Sequence, residues 1–295
     1  MIKSYVKKVL PETLKNRIIQ YKSEVLKKQV LTLPLINEKD FECIIINSLG
    51  IKSGDIVFVH SSVDKMNLGF PFYNIINVLQ NIIGENGTLV FPTYNNIPSY
   101  EFLKSGSVFN IKKTPGFTGV LNEFARRKKG AIRSLHPTKS VVAIGKLAEE
   151  LTKDHHLSPY SYDMCSPYYK IVTNNAKVIG IGVKTTYLSM VHAVDDYMKA
   201  DFPVNPYHLE LFHSRCIDYN NNEVIVDAYA HDMKKMNFSL PDYIHENIPD
   251  NICKDVQELK TDFFIADAKL LFDKMLELAK NGITIYSKKF YKPGY

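Results

Sequence analysis

The stretch Gly54-Asp55-Ile56-Val57-Phe58-Val59-His60-Ser61-Ser62 decides how this chain is read. Gly54-Asp55 marks a turn. The apolar run Ile56 to Val59 reads as a buried strand, and it stops at three polar residues. Beyond it, Ile75, Ile76, Val78, Leu79, Ile82 and Ile83 predict a helix over 72–83. Gly84-Glu85-Asn86-Gly87 carries the Asn-Gly turn signal, and Thr88 to Phe91 is the next strand, stopped by Pro92-Thr93. Strand, helix and strand in this order predict an α/β fold.

The alternation continues outward. Residues 94–115 are polar, with several Gly, Pro and Ser, and read as a long loop, a form that usually serves function. A helix over 117–129 ends in Arg126-Arg127-Lys128-Lys129. Then come Arg133-Ser134-Leu135-His136-Pro137-Thr138-Lys139-Ser140 and a strand at 141–144. Pro137 keeps that polar stretch from being a helix interior. Further elements are a strand at 177–183, a helix over 186–199 carrying His192, a strand at 223–228 and a helix over 265–281. Toward the N-terminus, a helix is expected over 39–49. Leu14, Ile18, Tyr21 and Val25 share one face of a helix over 11–30 that starts at Pro11; its other face is lysine-rich. We divide the chain into a basic N-terminal helical arm, 1–36, and one domain, 37–295. The arm's apolar face could rest on the body, a partner or a membrane surface.

Composition narrows the function classes. The 295 residues are 45% hydrophobic and 23% charged, enough for one large core or two smaller ones. No run of eighteen apolar residues suggests a membrane span, and no apolar leader suggests secretion, so a cytoplasmic location is expected. Four scattered cysteines suit a reducing compartment. The nine histidines show no metal-ligand spacing, so no metal is expected. No basic-aromatic stripe points to nucleic acid. Charge is uneven: eight basic against two acidic residues in 1–30, six basic against fourteen acidic in 190–262. A basic region suits an anionic cofactor and an acidic one a cationic substrate, unless both merely decorate solvated faces. Phosphate-binding loops, a complete dinucleotide fingerprint and a nucleophile elbow are missing.

Three constellations carry chemistry. His60-Ser61-Ser62, where a strand ends, could hold a phosphate or carbonyl oxygen, or Ser could simply cap a helix. Arg133 could grip a phosphate in a bidentate manner, and His136 could line a site or hydrogen-bond a neighbouring carbonyl. His192 precedes Asp195 and Asp196 by three and four residues, so either carboxylate could bias its imidazole toward general-base work. The plainer alternative is a surface histidine with acidic neighbours.

In this order the pieces resemble the aminoglycoside 3-N-acetyltransferase family of antibiotic N-acetyltransferases. The resemblance runs from Gly54–Val63 through Gly87–Thr93, is strongest at Arg133–Ser140, includes Ser166-Pro167 and Ile179–Gly182, and closes with Ser189 three before His192. It spans roughly 48–196. It implies a three-layer α/β/α fold around a central mixed sheet, acetyl-CoA as acyl donor, and a small-molecule amine as acceptor. The family's essential histidine falls on His192, with Asp195 where glutamate is usual. Its cofactor-lining motifs fall on His60, Ser61, Ser62 and Val63, and on Ser134, His136, Thr138 and Ser140, with Thr93 and Arg133 beside them. Lys184-Thr185-Thr186 and Phe70-Pro71-Phe72 depart from the family's pattern at places that affect the acceptor.

These readings predict direct transfer. His192, oriented by Asp195, takes a proton from the acceptor amine, and donors at the Ser61-Ser62 turn hold the oxyanion. The acceptor is either an aminoglycoside or an amino sugar of a surface glycan under synthesis. Two alternatives stand beside this one: a non-catalytic member that binds coenzyme A or a glycan as an assembly component, and an acyl-enzyme route through Ser61 or Ser62.

Overall fold

A computed structural model of the chain describes residues 12–95 and 97–292. Strand β1 (Ile56–Ser61) runs parallel to both its neighbours, β2 (Thr88–Pro92) and β6 (Lys177–Ile181). Antiparallel strands complete the sheet: β5 (Val141–Gly145) and β4 (Ile132–Arg133) beyond β2, β10 (Thr261–Asp267) and β9 (Cys253–Glu258) beyond β6. The order is β4-β5-β2-β1-β6-β10-β9, a mixed seven-stranded sheet.

The continuous apolar runs of β1 and β2 exist because helices cover both faces. Val57, Val59, Leu89 and Ile179 point to one side. There they meet Phe41 of α2 (Glu38–Cys43), α3 (Asn74–Ile83) and Leu121 and Ala125 of α5 (Val120–Arg127). Phe58, Val90, Val178 and Phe264 point to the other. There they meet α6 (Ala148–Thr152), α7 (Pro167–Thr173), α8 (His192–Met198), α9 (Leu240–Asn247) and α10 (Ala268–Lys280). Helix α3 alone buries Ile75, Ile76, Val78, Leu79 and Ile83, on the order of 10 kcal/mol of transfer free energy before the entropic cost of ordering. The expected three-layer architecture is therefore present.

Several expected elements take a different form. The 94–115 segment is not all loop: it holds α4 (Ser99–Lys104) and β3 (Phe109–Asn110). Phe102, Leu103, Phe109 and Ile111 are buried there against the hairpin of β7 (Tyr207–Ile217) and β8 (Glu223–His231). With β3 the hairpin makes a separate three-stranded sheet, so the partners that order 94–115 lie a hundred residues away. The helix expected over 186–199 is two short 3-10 turns, Thr185–Tyr187 and Ser189–Val191, before α8 begins at His192. The 39–49 helix winds into a π turn at Ile44–Ser48. Residues 265–267 end β10 rather than start a helix, because they pair with Lys177 to Ile179.

Helix α1 (Glu12–Val30) forms as the periodicity predicts; its proposed first-turn residue, Pro11, lies outside the described residues. Leu14, Ile18 and Tyr21 are 41%, 37% and 69% exposed, so this part of the apolar face is not covered by the body. Ile36, at the end of the arm, is fully buried, and its backbone is tied to Asn67 and Gly69.

Candidate active site at the carboxyl ends of the parallel strands

In an open α/β sheet, ligands bind beyond the carboxyl ends of the parallel strands. Here β1 delivers His60 and Ser61 to that edge, β2 leads to Thr93 and Tyr94, and β6 leads through Gly182 to Ser189 and His192. Gly182 has φ +70, and a Cβ on it would lie 2.5 Å from the carbonyl oxygen of Ser62. Only glycine lets the ends of β1 and β6 approach so closely.

Two cavities open at this edge. One, of about 580 Å³, is lined by His60, Ser61, Ser62, Val63, Tyr94 and Ser189, and by the start of α5. The other, of about 550 Å³, is lined by Lys139, Tyr162, His192, His231, Asp242 and Lys292 among others. Their walls are shared. The Nζ of Lys139, in the second, lies 4.7 Å from the ring centroid of Tyr94, in the first. Ser189 and His192 are three residues apart across the same divide.

His192 opens α8, and its Nδ1 is 2.9 Å from Oδ2 of Asp195. The Tyr286 hydroxyl donates to the same oxygen at 2.6 Å and lies 3.3 Å from His192 Nδ1. The side chain of Asp195 is 1% exposed and that of His192 14%, so the carboxylate is hidden and the ring edge is reachable. A carboxylate on Nδ1–H leaves Nε2 as the proton acceptor. Burial first, and then Asp195, hold the Tyr286 phenol well above its usual pKa, so it stays a donor. Asp196 serves elsewhere: the Tyr207 hydroxyl lies 2.7 Å from both its oxygens, and the Tyr162 amide donates to it at 2.7 Å. The partner of His192 is thus the carboxylate three residues on, and the short aspartate reaches the ring without a bridging water.

His60, 5% exposed, lines the first cavity, with Nε2 3.5 Å from the Ser189 hydroxyl. Burial drives its pKa down to about 3, so it is neutral. The Ser61 hydroxyl donates to Asn122 at 3.1 Å and that of Ser62 to the exposed Asp64 at 2.5 Å. The Ser62 amide donates to the Ile181 carbonyl at 2.9 Å, which removes it as an oxyanion donor. Val63 opens a 3-10 turn with no side-chain cap, so its amide lacks an acceptor within that turn.

The 133–140 stretch lies behind the cavities rather than in them. Arg133 is 2% exposed, and its guanidinium donates to the carbonyls of Thr93 (2.6 Å) and Thr114 (2.5 Å) and to the Ser140 hydroxyl (3.0 Å). Its Cζ lies 4.8 Å from the centroid of the Phe109 ring. With its donors taken up, it ties 93–114 to the sheet and does not stand ready for a phosphate. Thr93 and Ser140 are buried partners in the same knot. Ser134 bonds His155 Nδ1 at 2.8 Å, and His136 stacks on His155 at 4.5 Å. His136 Nδ1 accepts from the amides of Thr138 (3.3 Å) and Lys139 (3.0 Å). Thr138 is 4% exposed. None of these side chains lines either cavity; the residue of the stretch that does is Lys139. Reading the sequence also passed over Tyr286 and His231, which no local spacing ties to the site.

The geometry is that of a histidine–carboxylate pair in one of two adjoining clefts. A family model of aminoglycoside 3-N-acetyltransferases matches residues 58–270. The chain belongs to this family. It is therefore an N-acetyltransferase, with acetyl-CoA as the acyl donor of the family. The aminoglycoside N(3)-acetyltransferase III of Salmonella is 27% identical over 63% of this chain and 72% of its own length. The type VII enzyme of Streptomyces paromomycinus is 29% identical over 50% of this chain and 56% of its own length. Among solved structures, the aminoglycoside acetyltransferase AAC(3)-Xa superposes with a TM-score of 0.70 at 18% identity, covering 90% of this chain and 99% of that one. A binary complex of AAC-IIIb with CoASH gives 0.67 at 20% identity, over 89% and 100%. YokD of Bacillus subtilis gives 0.69 at 19%, over 86% and 97%. These superpositions establish the fold.

Proposed function

We propose that this family member acetylates a primary amine on an amino-sugar-type acceptor by direct transfer, with His192 as general base. The observation that carries the reading is the His192–Asp195–Tyr286 chain, in which His192 lines a cavity next to a second cleft. The acceptor occupies the cavity of His192, and its amine loses a proton to Nε2 as the nitrogen attacks the thioester carbonyl. The N–C bond forms, the C–S bond breaks, and coenzyme A leaves. Asp195 stabilises the imidazolium, and Tyr286 holds Asp195 in place.

The cleft at His60–Val63 takes the donor. No side chain caps α5, so the first-turn amides of that helix, beside Thr118 and Gly119 in the cleft wall, suit phosphate oxygens. The Val63 amide is the donor left for the thioester oxygen, since that of Ser62 is taken. An acyl-enzyme finds little support, because Asn122 and Asp64, not a histidine, engage the two serine hydroxyls.

The test is His192→Ala. Thiol release from acetyl-CoA with an accepted amine should fall by roughly 10²–10⁴-fold. Acetyl-CoA affinity by calorimetry should change by less than about twofold, since the donor cleft is lined by other residues. Near-normal turnover in that variant would remove His192 from the role.

A further inference from the structure

We infer that the acceptor is a monoamine carrying an anionic group, such as a phosphorylated or carboxylated amino sugar, and that Lys139 reads the anion in the same cavity where His192 deprotonates the amine. The inference rests on the acyl-transfer reading above and names its substrate class.

Lys139 has no carboxylate within 4 Å of its Nζ among the described residues, and its Nζ lies over the neutral ring of Tyr94. Other half-buried lysines in this fold are paired: Lys170 with Asp154 at 2.6 Å and Lys177 with Asp267 at 2.7 Å. An unpaired, largely desolvated ammonium is costly unless a ligand completes it. Burial lowers its pKa only to about 8, so it carries its charge at neutral pH.

The backbone of Lys139 is fixed with unusual care. Its amide donates to His136 Nδ1, its carbonyl lies 3.2 Å from the Tyr168 hydroxyl, and Ser140 on its far side is locked to Thr93 and Arg133. The whole buried 133–140 knot thus presents one lysine to the cavity.

The rest of the lining agrees. Among the described residues, Asp242 is the one acidic side chain lining this cavity, and Lys292 pairs with it at 2.7 Å. Asp195 is shielded behind His192. His231, 3% exposed, also borders this cavity, and among the described residues no group pairs with its buried Nε2. Of the acidic excess of 190–262, only Asp242 lines this wall among the described residues, and Lys292 is paired with it. An aminoglycoside would bring several ammonium groups to a lining whose formal charge is positive, whereas an anion-bearing monoamine matches it at both ends.

The experiment is thiol release by the full chain with acetyl-CoA and four acceptors: gentamicin, glucosamine, glucosamine 6-phosphate and muramic acid. At least one of the two anionic amines should exceed unmodified glucosamine and gentamicin in kcat/KM by about tenfold or more, and which one does tells phosphate from carboxylate. Lys139→Gln should collapse the ratio of the anionic acceptor to glucosamine toward one, mainly through KM, and Lys139→Arg should retain most of it. Equal or better turnover of gentamicin or glucosamine, or a ratio that survives Lys139→Gln, overturns the inference and leaves acyl transfer standing. Thiol release with none of the four overturns the acyl-transfer reading and this inference together. If Lys139→Gln fails to fold, the wild-type ranking and Lys139→Arg still decide.

Discussion

In the proposed mechanism His192 depends on two groups that behave differently in sequence. Asp195 is legible, because three residues on a helix bring side chains to one face. Tyr286 is not, because 91 residues separate it from Asp195. Both can be probed with the donor site left alone. Asp195→Ala should lower kcat by about a hundredfold, as the imidazolium loses its counterion and the ring its tautomer. Tyr286→Phe keeps the ring and removes one hydrogen bond to a buried carboxylate, so a fall in kcat of about tenfold is expected. In both, KM for acetyl-CoA should stay within about twofold; a change there larger than the change in kcat would mean that the relay acts on donor binding instead. Arg133 teaches the converse. As a residue type it suggested a phosphate ligand, but Thr93, Thr114 and Ser140 take its donors, and those partners come from three separate segments.

At the scale of elements, the strands and helices around β1 follow from short-range pattern, since each apolar run is bounded by Gly, Pro or Asn turns. Elements that depend on distant partners were harder to see. Helix α4 is six residues long, too short to announce itself, and holds together because Phe102 and Leu103 pack on the β7–β8 hairpin. The start of α5 shows how an element serves the site. Gly119 has φ +119, and a Cβ there would lie 3.1 Å from the Ser61 carbonyl oxygen. Gly119→Ala should destabilise the fold by about 1–3 kcal/mol and push the first turn of α5 away from the end of β1. Acetyl-CoA affinity, measured by calorimetry, should fall about tenfold if the α5 amides hold phosphate; unchanged affinity would place the phosphates elsewhere.

Across the whole molecule, the histidines make stability sensitive to acid. Burial holds His60 and His155 down to about 3, and it also lowers His136 and His231 well below the usual imidazole value. The unfolded chain takes up these protons near pH 6.5, but the folded chain cannot until about pH 3. The stability contributed by neutral burial is therefore present at pH 7 and lost as the pH falls below about 6.5. For His60 and His155 the loss on going from pH 7 to pH 5 is on the order of 2 kcal/mol each. Urea midpoints at the two pH values should show it, and His155→Gln should reduce the difference by about 2 kcal/mol while His60 keeps its share; equal midpoints for the wild-type chain would contradict neutral burial.

The sequence by itself determined the α/β order, the polar edge at His60 and the placing of two carboxylates one turn on from His192. All of these follow from residues close together in the chain, where periodicity and turn chemistry act. It also carried enough ordered motifs to point to the family. Only the tertiary structure decided which of the polar residues line a cavity. The 133–140 stretch turned inward because Arg133, Ser134 and Ser140 found partners on other strands and loops and His136 stacked on His155, leaving Lys139 at the wall of a cavity. Tyr286 joined His192 because the segment after α10 folds back over α8. Such choices depend on which distant groups meet in the packed chain, where a buried donor or acceptor must find a partner, and no local pattern encodes that meeting.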